Sequence, residues 1–259
     1  GPPATITAFL SVAPKAAGFG VLIRFLNIAF SQGNPNAASW LAMPGLDWPI
    51  IIAGLSAITM TVGNVIAIQQ DNVKRMLAYS SIAHAGYMLM GVVVVDQTGV
   101  SAILYYLGVY LLMNLGAFFI AIEIKNLYNT ESISDYAGLG FKAPWLGISM
   151  AVFLFALTGL PPTAGFVAKF YLFRALVQSG DSFLWLAVIG LINGVVSLVY
   201  YMRILKAMYF EKMEFPEQTA KVRVHFNILM LILVIPLLVG WMFGDPLSQI
   251  TNHAVHLFF

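Results

Sequence analysis

Apolar runs of about twenty residues, broken by short polar or Pro/Gly-rich stretches, recur from one end of this sequence to the other. A run of that length crosses the ~30 Å hydrocarbon core of a bilayer as a helix, and lipid admits only helices and closed barrels because backbone polar groups find no water there. The sequence therefore reads as an all-α, polytopic transmembrane helix bundle. Composition agrees, since 60% of the 259 residues are hydrophobic and 9% are charged, against about 25% charged in an ordinary soluble domain. A net charge of +2 is too small and too dispersed to argue for nucleic acid. The absence of Cys removes disulfides, thiolate metal sites and iron–sulfur ligation from this chain. The opening Gly1-Pro2-Pro3, without an initiator Met or a basic-then-apolar leader, reads as the interior of a longer chain.

About seven spans result, at 5–28, 48–69, 73–95, 100–124, 144–177, 183–209 and 222–243. The fifth is anomalous: as one straight helix its run would reach about 50 Å, and Gly159-Leu160-Pro161-Pro162 stands in its middle. This predicts a broken helix with halves at 145–158 and 163–177. The break should lie inside the membrane and face protein, because its freed carbonyls need partners. Loop charge sets the orientation. Lys74, Arg75, Lys125, Lys142, Arg203, Lys206, Lys212, Lys221 and Arg223 cluster on alternate connections, which read as cytoplasmic, whereas the intervening ones carry Asp47, Asp96 and Asp181 and no Lys or Arg. The tail at 245–259, with His253 and His256, then falls on the external side.

Lys15 and Lys169 violate this charge pattern by standing within spans. A charge near the bilayer centre costs at least about 2.5–3.5 kcal/mol, so such residues face a bundle interior or a wet path. Desolvation disfavours a lysine's charged form, and a nearby acceptor or water chain restores it, so a desolvated lysine can load and unload a proton. Each has Pro nearby, Pro14 before Lys15 and Pro161-Pro162 before Lys169, which loosens the backbone. Polar residues at helical spacing accompany them: Ser80, His84 and Tyr87 on the third span, Tyr106, Tyr110 and Asn114 on the fourth, and Asn193, Ser197 and Tyr200 or Tyr201 on the sixth. Such stripes serve proton conduction or hydrogen bonding between helices equally well. Of these, Tyr200 is taken as the candidate on the sixth span. His84 stands out as the imidazole within a span, a group whose ordinary pKa of about 6.5 suits proton exchange. Glu123 beside Lys125 reads as an interfacial pair, and Arg24 and Arg174, toward the external helix ends, fit either a proton exit or interfacial anchoring.

Three stretches resemble one family: Thr7 to Phe19 (TAFLSVAPKAAGF), Asn72 to Tyr87 (NVKRMLAYSSIAHAGY) and Leu157 to Tyr171 (LTGLPPTAGFVAKFY). They are similar to the antiporter-like membrane subunits of proton-pumping NADH:quinone oxidoreductase, respiratory complex I, and within these to the subunit N group. The resemblance implies helices eight to fourteen of a fourteen-helix subunit that contains two inverted repeats, each with a broken helix. Residues 1–30 would then be the last helix of the first repeat, 48–210 the second repeat, and 222–259 the C-terminal helix and tail. Lys15 would be the central lysine of helix eight, and Lys169 the helix-twelve lysine of the outward-facing half. The glutamate of helix five and the lysine of helix seven would lie in the N-terminal half. The implied function is proton translocation driven by electron transfer in other subunits, in the bacterial inner membrane. NADH, flavin, iron–sulfur clusters and quinone would belong to those partner subunits, with no cofactor or metal in this chain. A subunit of a multi-subunit cation/proton antiporter is the alternative. A non-conducting scaffold, the third reading, has no need of Lys15 and Lys169.

Overall fold

The computed structural model describes residues 6, 9–33, 40–43, 45–212, 222–242, 249–251 and 254–255. Nine helices run in the order α1 (Ala13–Phe30), α2 (Trp48–Ile68), α3 (Val73–Val93), α4 (Gln97–Tyr128), α5 (Leu139–Lys142), α6 (Pro144–Thr158), α7 (Ala164–Gln178), α8 (Leu184–Phe210) and α9 (Val224–Val239) among the described residues. A short antiparallel pair, β1 (Ser31–Gly33) and β2 (Trp40–Ala42), follows α1, with Ser31 opposite Ala42. The tail expected on the external side, with His253 and His256, lies largely outside the described residues, as does Lys221.

The buried core is largely apolar, but α2 and α8 also turn apolar faces outward and polar residues inward. On α2, Ile51, Leu55, Ile58, Val62 and Val65 are exposed, while Ser56 and Asn64 on the opposite side are buried. On α8, Val188, Leu191, Ile192, Val195 and Val199 are exposed and Asn193, Ser197, Tyr200 and Tyr201 are buried. Helix ends are set by local chemistry. The Asn72 side chain accepts from the Arg75 amide at 2.9 Å, the Asp96 carboxylate accepts from the Gly99 amide at 2.9 Å, and α4 ends at Asn129 in the left-handed region.

Five described helices, α1 to α4 and the segment Asp181–Phe210 that contains α8, are long and apolar enough to cross a membrane singly. The rest of the seven expected spans are shorter: α6 and α7 have 15 residues each and α9 has 16. Fifteen residues reach only about 22 Å, so neither α6 nor α7 is long enough to cross a ~30 Å hydrocarbon core by itself. The first span also differs from expectation. It is interrupted by a turn at Ser11 and Val12, and α1 restarts at Ala13 with Pro14 in its first turn. Proline has no N–H to donate and its ring collides with the turn before it, so a helix restarts there more readily than it continues.

The break between α6 and α7 falls where the sequence placed it. Gly159 closes α6 at φ 85°, and both its amide and that of Leu160 donate to the Phe155 carbonyl, at 2.9 and 3.0 Å. Its facing differs from the expected one. Thr158 and Thr163 are buried and Gly159 and Leu160 half-buried, but Pro161 and Pro162 are exposed on the surface of the chain. Neither proline has an amide proton, so their exposure strands no donor, and the Leu160 carbonyl before them accepts from the Thr163 hydroxyl at 2.7 Å.

At the cytoplasmic-type loops, Lys125 pairs with Glu131 and not with Glu123, since side chains two apart on a helix diverge. Glu131 also accepts from Asn72, and these two bonds hold its carboxyl below the usual carboxylate range. The clasp ties the α2–α3 turn to the loop after α4 above that range and loosens as pH falls through it.

After the break, α7 folds back so closely that a Cβ on Gly165 would lie 1.9 Å from the Ala156 carbonyl oxygen. Gly165→Val should therefore cost more than the about 1–3 kcal/mol of ordinary overpacking and abolish recovery of monodisperse protein from membranes. Gly54→Val, whose Cβ meets nothing within 4 Å, should be recovered like the parent. Equal recovery of the two variants would contradict the packing.

Candidate functional site

The break and the second lysine form one unit. Lys169, on α7 and 6% exposed, turns its ammonium back to the Thr158 carbonyl at 2.7 Å. That carbonyl belongs to the last turn of α6, where the helix has no acceptor role for it and its dipole is negative. The ammonium also lies 4.6 Å from the centre of the Tyr87 ring on α3. The Tyr87 hydroxyl donates to the Gly190 carbonyl at 3.0 Å, which fixes the ring against α8.

The first lysine is built in a related way. Lys15, half-buried in the first turn of α1, donates to the Ser81 carbonyl and, at 2.5 Å, to the Ser81 hydroxyl. It sits 5.1 Å from the centre of the Tyr110 ring. Just before it, Ser11 accepts from the Asn114 side-chain amide at 2.6 Å. Between the two lysines stands His84, 2% exposed. Its Nδ1 is 2.6 Å from the Tyr106 hydroxyl and its Nε2 3.2 Å from the Tyr201 hydroxyl. Its ring centroid lies 5.1 Å from that of Tyr110 and 6.1 Å from that of Tyr87. The order through the bundle is thus Lys15, Tyr110, His84, Tyr87, Lys169.

No Asp or Glu is buried among the described residues, and the three described ion pairs are peripheral. Neither internal lysine is locked to a carboxylate. Each is held by backbone oxygen and a ring face, which support a cation without fixing it, and the imidazole between two hydroxyls can accept on one nitrogen while it donates on the other. The Tyr110 hydroxyl is buried beside the Ser81 side chain that also holds Lys15.

The remaining candidates divide. Tyr106, Tyr110 and Tyr87 belong to this line, and Asn114 joins it at Ser11. Asn193 and Tyr200 do not: both bond Asn64 on α2, through the Asn64 amide donating to Asn193 Oδ1 at 2.8 Å and the Tyr200 hydroxyl donating to Asn64 Oδ1 at 2.9 Å. Ser80 and Ser197 donate to carbonyls three residues back on their own helices, those of Leu77 and Gly194. Sequence reasoning missed Ser81, the neighbour of Ser80, and left Tyr200 and Tyr201 as alternatives, because a helical stripe does not resolve a register of one. It also missed Asn64, although a lone amide in the middle of an apolar span is a signal, and Ser11.

A polytopic helical membrane protein with a broken helix, internal lysines and no buried carboxylate among the described residues is the class this fold defines. The family model described as NADH:quinone oxidoreductase/Mrp antiporter, TM, matches residues 1–197, and the chain belongs to that family. It is 44% identical over 258 residues to NADH-quinone oxidoreductase subunit N 2 of Chloroherpeton thalassium, covering 99% of this chain and 50% of that protein. It is 50% identical over 223 residues to the protein of the same name from Sorangium cellulosum, covering 85% and 43%. Among solved structures it superimposes with TM-score 0.73 and 29% identity on a chain of respiratory complex I from Thermus thermophilus with bound aureothin, covering 96% of this chain and 52% of that one. The chain thus spans about half the length of the relatives it matches.

The geometry separates neighbours that sequence could not. Tyr201→Phe, which removes a hydroxyl from His84 and keeps the ring, should cost about 1 kcal/mol and shift the His84 Nε2 signal in nitrogen-15 NMR of the labelled protein. Tyr200→Phe should shift that signal less, because its hydroxyl donates to Asn64 and reaches the imidazole only through Tyr201. The opposite pattern would place the wrong tyrosine at the imidazole.

Proposed function

We propose that this chain forms helices eight to fourteen of a proton-translocating membrane subunit of an NADH:quinone oxidoreductase. Electron transfer in partner subunits drives it, and proton transfer runs along Lys15, His84 and Lys169. The observation that carries the reading is the line itself: two lysines inside a membrane bundle, neither paired to a carboxylate, on either side of an imidazole held by two hydroxyls. Family membership and the names of the relatives support it. In this reading NADH, flavin, iron–sulfur clusters and quinone belong to partner subunits, consistent with a chain that has no Cys. The N-terminal half of the subunit and neighbouring membrane subunits complete the path. The subunit sits in the bacterial inner membrane, with the connections rich in Lys and Arg on the cytoplasmic side and the tail outside.

The alternative, a subunit of a multi-subunit cation/proton antiporter, is kept by the family's shared description. A sodium site asks for oxygen ligands, carboxylates above all, and no carboxylate is buried among the described residues. Flavin and iron–sulfur absorbance that co-purifies with the full subunit would favour the oxidoreductase.

The test is Lys169 in the complete complex. Lys169→Ala should lower quinone reductase rate and proton-gradient formation by about a hundredfold, the small end of what a positioned proton-transfer group contributes, while the complex still assembles. Lys169→Arg should do little better, because a guanidinium keeps its charge and cannot release its proton. A partial rescue by Lys169→Glu would favour proton transfer over fixed charge. Wild-type rate and pumping ratio in Lys169→Ala, with verified assembly, would reduce Lys169 to a structural residue.

A further inference from the structure

Arg174 lies outside the line of lysines and histidine. It stands on α7 five residues, about 7 Å, past Lys169, is exposed, and makes no hydrogen bond or ion pair among the described residues. It borders a cavity of about 270 Å³ between α4 and α7, whose wall also carries Thr98, Ser101, Tyr105, Tyr171, Gln178 and Thr251. The Tyr105 and Tyr171 rings meet edge-on at 4.9 Å, and the Ser101 and Thr251 hydroxyls lie 3.4 Å apart. No Asp or Glu lines the cavity among the described residues. The nearby Asp96 carboxylate is already engaged, by the Thr98 hydroxyl at 2.6 Å and the Gly99 amide at 2.9 Å. A guanidinium fork with hydroxyl and amide groups around it, and no carboxylate among the described lining residues, is built for an oxyanion.

The same helix face says which oxyanion. Phe170 and Val177, four residues before and three after Arg174, are each 51% exposed, so they share its face of α7. An anion that brings its own hydrocarbon covers them; a free ion does not. We propose that the α4–α7 cavity binds the headgroup phosphate of an anionic phospholipid on Arg174, with an acyl chain laid along α7 over Phe170. The proposal requires only that the chain sits in a bilayer and is independent of the proton-transfer reading.

The test uses the full-length subunit in its assembled complex, reconstituted in phosphatidylcholine vesicles with a trace of photoactivatable phosphatidylglycerol or, in parallel, photoactivatable phosphatidylcholine. Crosslinks are mapped by mass spectrometry. The phosphatidylglycerol probe should label peptides covering residues 98–105 and 170–178 above the phosphatidylcholine probe, and Arg174→Gln should lower that excess by about fivefold, the contribution of one basic residue at a lipid surface. Gln178→Glu, at an exposed position, offers the guanidinium a carboxylate of its own and should also lower it, which keeps the test decisive if Arg174→Gln fails to assemble. Inorganic phosphate should compete no better than chloride at equal ionic strength. Equal labelling by the two lipids, no labelling by either, or labelling unchanged in the variants overturns the site. Displacement by phosphate but not chloride overturns the lipid and leaves a free-anion site.

Discussion

A lysine ammonium below the surface of a bilayer must find acceptors, and in this chain the decisive acceptor comes from backbone that a helix can no longer use. Ending α6 at Gly159 frees the Thr158 carbonyl, and Lys169 folds back onto it at 2.7 Å. The two features cannot be separated. A side chain on Gly159 would be strained at φ 85° and its Cβ would lie 2.7 Å from Lys169 Cδ. The energies are of similar size: at least about 2.5–3.5 kcal/mol to place the charge in the membrane, and about 1.5–3 kcal/mol from a hydrogen bond to a charged group. A site balanced in this way can host the lysine with or without its proton, which a buried ion pair could not do without leaving a lone carboxylate behind.

The rest of the interior is arranged around that balance. Rings of Tyr87 and Tyr110 face the ammonium groups, and the hydroxyls of Tyr106 and Tyr201 face the two nitrogens of His84. All are neutral groups that orient toward a cation or share a proton without neutralising it. The second polar cluster, Asn64 with Asn193 and Tyr200, ties α2 to α8 and so holds the helix that presents Tyr201. Hydrogen bonding between helices and placement of the site are thus done by adjacent residues on the same helix.

What the sequence disclosed follows from what lipid forbids. Long apolar runs, Gly159-Leu160-Pro161-Pro162 inside an overlong one, and two lysines where charge is costly are violations of, or obedience to, a solvent rule, so they are visible in one dimension. The structure's departures are matters of neighbours. Whether Ser80 or Ser81 meets Lys15, and Tyr200 or Tyr201 meets His84, depends on helix rotation by about 100°, which helix–helix packing sets and an apolar count does not. The exposure of Pro161 and Pro162 depends on which side of the chain the break turns to, and the restart of α1 at Ala13 shows that Pro14 acts on the turn before it as well as on Lys15. The fifth run divides within one residue of its expected halves, and the seventh helix is shorter than its apolar run because hydropathy does not register where a helix ends.

The central claim is that Lys169 changes protonation during turnover. Redox-triggered infrared difference spectroscopy on the complete complex, prepared with nitrogen-15 lysine, reads this directly. The account predicts a lysine-sensitive ammonium band that appears and disappears with turnover in the parent and is lost in Lys169→Arg. No isotope-sensitive lysine band during turnover, or one that persists unchanged in Lys169→Arg, would contradict it.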